Sequence, residues 1–168
     1  MTMFRKSRTA LVTGAGAADG IGAAVARALG DAGLAVAITA SSHRVEQRAE
    51  ELRAEGLDVR AVVTDLTRAA DVERLCSEVG EIDILVNNAG MGTVAQPALQ
   101  RRFLDLSESD WDRGIDVSLK TTFLATRAFL AGMVRRGHGR VVNMASVTGP
   151  YVSNEGEAAY SAAKAGMV

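Results

Sequence analysis

Apolar residues fall along the chain in two alternating patterns. Near-continuous apolar runs stand at Ala10-Leu11-Val12-Thr13, Leu34 to Thr39, Val59 to Thr64, Ile82 to Val86 and Arg140 to Met144. Short runs of this kind predict strands covered on both faces. Between them the spacing becomes helical: Ile21, Val25 and Leu29 repeat every turn before Gly30 and Gly33, which stop the helix. Arg44 to Ala54 predicts a charged surface helix ended by Gly56, and Ala69 to Val79 a third helix. Ser107 and Asp110 stand like a capping box. They open a long helix over Glu108 to Arg136, ended by Gly137 and Gly139. A loop with Pro97 spans Gly90 to Gln100. The last helix begins near Glu157 and is expected to run to Val168 without a stop signal. Strand-helix alternation predicts an α/β fold, a doubly wound, Rossmann-like parallel sheet. No linker or repeat divides it, so residues 1–168 form one domain.

Within the long helix, Trp111, Ile115, Leu119 and Phe123 make a stripe expected to pack on the sheet. Leu124, Phe129, Leu130 and Met133 spread apolar side chains over further faces. A helix apolar on all sides is expected to be buried.

Composition narrows the function classes. Nineteen Lys+Arg against 20 Asp+Glu give a net charge of −1, so no surface for nucleic acid is announced. No apolar run is long enough for a membrane span. The basic start (Arg5, Lys6, Arg8) meets too few apolar residues before Gly14 for a secretory signal. Cys76 is the sole cysteine, which excludes a disulfide framework and a multi-cysteine metal site and points to a reducing, cytoplasmic compartment. Cys76 itself reads as a small core residue, and His43 and His138 as solvated loop residues.

Glycine is in excess, and its clearest cluster has a chemical reading. Thr13-Gly14-Ala15-Gly16-Ala17-Ala18-Asp19-Gly20-Ile21-Gly22 lies between the first strand and the first helix. Glycines allow a tight turn and close approach to a pyrophosphate, and the helix start at Ile21 offers free amides and a positive dipole end. A plain βα turn is the simpler alternative; the strand-turn-helix context favours a dinucleotide. The second strand ends Thr39-Ala40-Ser41-Ser42-His43-Arg44, with no acid before Glu46. An acid there would hold the ribose of NAD and repel a 2′-phosphate. Ser41 and Arg44 instead suit the phosphate of NADP. Asp19 pulls toward NAD, and Arg44 reads equally as a solvated helix-start residue. NADP is preferred and NAD stays open.

Tyr160 and Lys164 are four residues apart and share one helix face. A phenol is a poor base at neutral pH, and a neighbouring ammonium favours its phenolate. Such a pair can pass a proton to a carbonyl oxygen or take one from an alcohol. Ser146 follows the fifth strand, at the edge where such sheets bind ligands. Each residue alone reads as surface decoration; the set carries the argument.

The set resembles the short-chain dehydrogenase/reductase family, near its 3-oxoacyl-[acyl-carrier-protein] reductase-like members. The resemblance runs from Arg8 to Val168 through the Thr13–Gly22 turn, Asp65-Leu66, Asn87-Asn88-Ala89-Gly90, Ser146 and Tyr160-Ser161-Ala162-Ala163-Lys164. It implies that Gly14, Gly20, Ile21 and Gly22 carry the cofactor turn. Asp65 and Leu66 would meet the adenine, and Asn87, Ala89 and Gly90 would support the sheet and line the cofactor site. Ser146 would position the substrate and Tyr160 would act as general acid/base. Lys164 would bind the nicotinamide ribose and tune the tyrosine. It also implies a small carbonyl or alcohol substrate, a 3-oxoacyl thioester being one choice, and a homodimer or homotetramer that buries the long helix.

Three departures accompany the resemblance. Five residues separate Gly14 from Gly20, two more than the family's common spacing. Ser118 stands where the family carries an asparagine that holds a water in its catalytic tetrad. Family members also run to about 250 residues, so the last strands and the substrate cover are expected to be missing from residues 1–168. The 168-residue chain is therefore expected to be poorly active, with the fifth strand an open edge. The alternative reading is a cofactor-binding module, or an inactive fragment of such an enzyme.

Overall fold

In a computed structural model, residues 8–90 and 99–168 are described. The basic Arg5-Lys6 start and most of the Pro97 loop lie outside them. The described chain runs β1 (Thr9–Thr13), α1 (Ile21–Asp31), β2 (Ala35–Ala40), α2 (Arg44–Ala54), β3 (Val59–Val63), α3 (Ala69–Val79) and β4 (Ile84–Asn87). It continues through a short 3-10 turn (Phe103–Asp105), α4 (Glu108–Ile115), a π-helical turn (Asp116–Lys120), α5 (Thr121–Arg136), β5 (Arg140–Asn143) and α6 (Ala158–Ala165). The strands form one parallel sheet in the order β3-β2-β1-β4-β5. The chain reverses its winding between β1 and β4, and ligands bind beyond the carboxyl ends of the strands at such a switch point.

The unbroken apolar strands make sense once both faces are seen. Leu11, Ala37 and Leu85 point to one side, into a core with Leu75, Phe129 and Met133 of α3 and α5. Their neighbours Val12, Val36, Ile38 and Val86 point to the other, with Ala26, Val45, Ala49 and Leu52 of α1 and α2. Alternate side chains thus serve opposite layers, the period-two geometry of a strand.

Several expectations need correction. The Trp111–Phe123 stripe does not pack on the sheet: Phe123 is 55% exposed and Trp111 36%. The residues of α5 that do are Ala125, Phe129 and Met133. The π-helical turn at Asp116–Lys120 is the reason. It adds a residue to one turn and rotates α5 relative to α4, so a four-residue spacing cannot run through both. Nor is α5 buried all round, because Leu130 and Val134 are exposed as well as Phe123. The last helix does not run to Val168. It ends at Ala165, where Gly166, Met167 and Val168 turn back onto the carbonyls of Ala162, Lys164 and Ala165. Cys76 is only partly buried, and its thiol approaches Ala128 O at 3.6 Å.

The helix cap and the two histidines stand as expected. Ser107 Oγ accepts from Asp110 N at 3.1 Å, capping α4. His43 and His138 are exposed. All four residues of β5 are exposed, and among the described residues no strand pairs with its outer edge. No described helix is long and apolar enough to cross a membrane.

Leu85, fully buried between β1 and β5, tests the core. Leu85→Ala is expected to lower unfolding free energy by about 2–5 kcal/mol, read as a fall in the urea midpoint. A shift worth less than about 1 kcal/mol would contradict this packing.

Candidate functional site

The site is built on a clamp between the turns that follow β1 and β4. The Thr13 hydroxyl donates to Val86 O (3.2 Å) and accepts from the amides of Asn88 (2.9 Å) and Ala89 (3.0 Å). In return Asn88 Nδ2 donates to Thr13 O at 2.9 Å and Gly14 O at 3.2 Å. The two turns touch so closely that side chains are excluded. A Cβ on Gly14 would lie 2.7 Å from Ala89 Cα, and Gly14 also has φ +71°. A Cβ on Gly22 would lie 2.7 Å from Asn88 Nδ2 and 2.8 Å from Gly14 O. Gly22 therefore serves packing, and α1 reaches the switch point because of it.

The two extra residues of the glycine turn are absorbed locally. Ala15 is buried with its amide on Thr39 O (3.1 Å), while Gly20 N closes onto Ala17 O (3.3 Å). The excess loops out at Ala17 to Asp19, and Gly14 and Gly20 still line a common cavity. Asp19 is exposed and does not line it. Gly20 caps α1 without a side chain, and the first turn of α1 carries no acid. Its amides are thus left for an external anion.

The cavity holds about 440 Å³. One end is formed by Gly14, Gly20, Ile21, Ala40 and Ser41. Thr64, Asp65, Leu66 and Thr67 form a wall after β3, and Asn88, Ala89 and Gly90 form the floor. The far end has Val117, Thr121, Met144, Ala145, Tyr160 and Lys164. Asp65 Oδ1 is held by the amide (3.0 Å) and hydroxyl (2.7 Å) of Thr67. The buried Thr64 hydroxyl has no partner among the described residues.

Tyr160 and Lys164 stand on one face of α6, with Lys164 Nζ 5.8 Å from the Tyr160 ring centre. Lys164 is 4% exposed, and its ammonium donates to Met144 O at 2.5 Å. Burial pushes its pKa down from the usual 10.5. Ser118 is buried in the π-helical turn. Its carbonyl accepts from the hydroxyls of Thr121 (3.0 Å) and Thr122 (3.1 Å). A Cβ on Gly90 would meet Ser118 Oγ at 3.4 Å and Lys164 Nζ at 3.5 Å. The absence of a side chain at Gly90 thus keeps open the space between those two groups.

The remaining expected residues divide. Ser146 lies in the turn after β5, its hydroxyl accepting from Thr148 N at 3.1 Å, and is not among the cavity-lining residues. The loop carrying it is pressed onto α6 at Gly149, where φ is +117° and a Cβ would collide with Ser161 O and Ala165 N. Ser153 Oγ and Ser161 Oγ, 2.9 Å apart, tie the same loop to α6. Arg44 is exposed and does not line the cavity, unlike Ser41. Asn87 does not line it either. It is buried in the sheet, donating to Thr126 Oγ1 and Asn143 Oδ1, both at 2.9 Å. Of that run, Asn88 to Gly90 line the cavity, whereas the Asn87 side chain turns into the strand layer.

Sequence reading did not single out Thr64, Thr121 or Met144. Met144 contributes a backbone carbonyl, which no side-chain pattern announces. Thr121 lines the cavity directly after the π-helical turn, which the apolar pattern does not report. Among the described residues no group of three acidic, histidine or cysteine side chains is placed to hold a metal.

The sequence profile of the short chain dehydrogenase family matches residues 8–168. The oxidoreductase UcpA of Escherichia coli is 39% identical over 165 residues, which cover 96% of this chain and 60% of UcpA. The 3-oxoacyl-[acyl-carrier-protein] reductase FabG of Staphylococcus aureus is 34% identical, covering 98% of this chain and 66% of FabG. Among solved structures, an actinorhodin polyketide ketoreductase with NADPH superposes with TM-score 0.84 at 34% identity, covering 95% of this chain and 60% of that one. The chain thus spans 60–66% of the length of these curated relatives.

The buried Lys164 gives a pH test. Its pKa is lower folded than unfolded, so between the two values the unfolded state binds more protons and stability rises with pH. The penalty for burying the charge is complete below the folded-state value and is relieved as pH approaches 10.5. The stability of the protein relative to Lys164→Met is expected to increase from about pH 7 to about pH 10 in urea titrations. A difference that stays flat would contradict the burial described here.

Proposed function

The chain belongs to the short-chain dehydrogenase family, and we propose that its site interconverts a ketone and a secondary alcohol with NADP(H). One observation carries this reading. Tyr160 and Lys164 line the same cavity as the glycine turn, at its opposite end. A proton-transfer pair and an anion-binding helix start are therefore spanned by one continuous space.

The residues fit a dinucleotide. The uncapped start of α1 suits the pyrophosphate. Asp65 and the unpartnered Thr64 hydroxyl suit the polar edge of the adenosine half. When bound, the dinucleotide supplies or accepts the hydride. The chain's own groups do the rest. Tyr160 gives a proton to the substrate oxygen during reduction and takes it back during oxidation. The Lys164 charge, fixed by Met144 O, favours the phenolate left behind, and its remaining donors are available to the nicotinamide ribose. Ser146 would hold the substrate oxygen from the loop that Gly149 and Ser153 seat on α6.

The preference for NADP(H) rests on the end of β2, where Ser41 lines the cavity. Glu46, the first acid beyond, is paired with His43 at 3.0 Å. Arg44 stands exposed three residues after Ser41, free to swing toward a 2′-phosphate. The substrate class is a small carbonyl compound, with 3-oxoacyl thioesters the first to try, as the name of FabG suggests. An oligomer in a reducing cytoplasm is part of the same reading.

Cofactor binding without turnover is a second reading, favoured by Ser118. A serine hydroxyl offers one donor where the family's asparagine offers two.

The test is oxidation of NADPH followed by absorbance, with a panel of ketones and 3-oxoacyl thioesters. Tyr160→Phe is expected to lower kcat at least about 100-fold and to leave NADPH affinity within a few-fold. Full activity in Tyr160→Phe would sink the mechanism. Arg44→Ala is expected to weaken NADPH about tenfold and leave NADH unchanged, since a charge-assisted contact contributes on the order of 1.5–3 kcal/mol. Equal effects on both would remove the case for NADP(H).

A further inference from the structure

The helix that carries Tyr160 and Lys164 meets α4 at an unusual contact. Gly114 lies inside α4, one residue before its end. A Cβ there would stand only 2.5 Å from Ala159 Cβ, the residue beside Tyr160. Ala159 is 7% exposed. At the other end of α6, a Cβ on Gly166 would lie 3.0 Å from Leu119 Cδ2 in the π-helical turn. The α4 helix contributes no buried residue to the core, so its packing on the sheet does not call for a glycine. Within a helix glycine is also less favourable than alanine. What glycine provides at this position is depth: α6 can sink against α4 until backbone meets methyl.

The depth matters because α6 is held on its other side as well. The Gly149 loop abuts Ser161 O and Ala165 N, and Lys164 reaches Met144 O. Carbon atoms pack at about 3.5–4.0 Å. A methyl on Gly114 would therefore drive the first turn of α6 outward by about 1 Å, against a fixed loop and a fixed lysine. A displacement of that size at a reacting group can cost about 100-fold in rate.

We propose that Gly114 is a positioning residue for the Tyr160–Lys164 pair, setting through Ala159 how deeply α6 seats beside the cofactor cavity. The proposal rests on the reading of the site as an NADP(H) site. It adds a specific contact, between two helices and outside the cavity, on which the reactive end depends and the adenine end does not.

The experiment uses the whole protein as wild type, Gly114→Ala, Ala159→Gly, the double variant and, for reference, Lys164→Met. It measures Tm and calorimetric affinity for NADPH and for adenosine 2′,5′-bisphosphate, which carries only the adenine half. Gly114→Ala is expected to lower Tm, although helix propensity alone would raise it. It is expected to weaken NADPH at least about fivefold and leave adenosine 2′,5′-bisphosphate within twofold. Adding Ala159→Gly removes the opposing methyl and is expected to recover most of both losses. NADPH affinity unchanged in a folded Gly114→Ala variant would overturn the proposal. If Gly114→Ala does not fold, the double variant decides: recovered NADPH binding supports the contact, and a folded double variant that binds NADPH no better than Lys164→Met overturns it. Equal weakening of both ligands would also overturn it, because the role would then be general stability. Failure of the underlying reading looks different: the wild type itself would bind neither ligand, while the Tm pattern would still report the contact.

Discussion

The site depends on the Thr13 hydroxyl more than on any other single group. It accepts two amides from the turn after β4 and donates to the strand itself, so it joins β1 and β4 where the winding of the sheet reverses. Asn88 completes the joint by donating to the carbonyls of Thr13 and Gly14. Buried polar groups left unpaired cost about 1–3 kcal/mol each; here they pair with one another. Gly14 and Gly22 follow from that joint, because the turns approach too closely for side chains. With the turns fixed, the uncapped start of α1 and the floor from Asn88 to Gly90 face one cavity. The glycine-turn end of the cavity is thus a consequence of how two strands are clasped.

The Tyr160–Lys164 end of the cavity is fixed separately. Lys164 is buried and its charge is met by a backbone carbonyl of the segment after β5. Tyr160 takes its place relative to that anchor through one turn of α6. The helix is in turn wedged between α4 and the Gly149 loop. These contacts reach the sheet through the segment after β5 and also through the π-helical turn and α5, which packs on β4. The two ends of the cavity therefore differ in support: the glycine-turn end rests on the turns after β1 and β4, and the Tyr160 end on a helix docked against α4 and the segment after β5.

Much of this was legible in the residues. The bounds of α2 and α3 agree with those expected, Arg44 to Ala54 and Ala69 to Val79, because both are ordinary amphipathic helices. Strand positions shift by a residue or two, as at β4, which begins at Ile84 and includes Asn87. An apolar run marks burial rather than the exact ladder. The π-helical turn left no mark in the apolar periodicity, and it misplaced the Trp111–Phe123 stripe. Of the expected site residues, Gly14, Gly20, Ile21, Ser41, Asp65, Leu66, Ala89, Gly90, Tyr160 and Lys164 converge on one cavity. Asn87 turns into the sheet, and Ser118, not among the cavity-lining residues, has its Oγ close to Gly90. Gly114 was not singled out in the sequence, because its meaning required knowing what lay opposite. Close approach is a property of two segments, and a single segment does not report it.

The most direct test of the account is a crystal structure of the whole protein with NADPH. The account predicts the pyrophosphate against the first-turn amides of α1 and the adenine beside Asp65. It also predicts the nicotinamide ribose within hydrogen-bond distance of Lys164 Nζ. A cofactor bound elsewhere, or a pyrophosphate held away from Gly14 and Gly20 with Lys164 still closed on Met144 O alone, would contradict it.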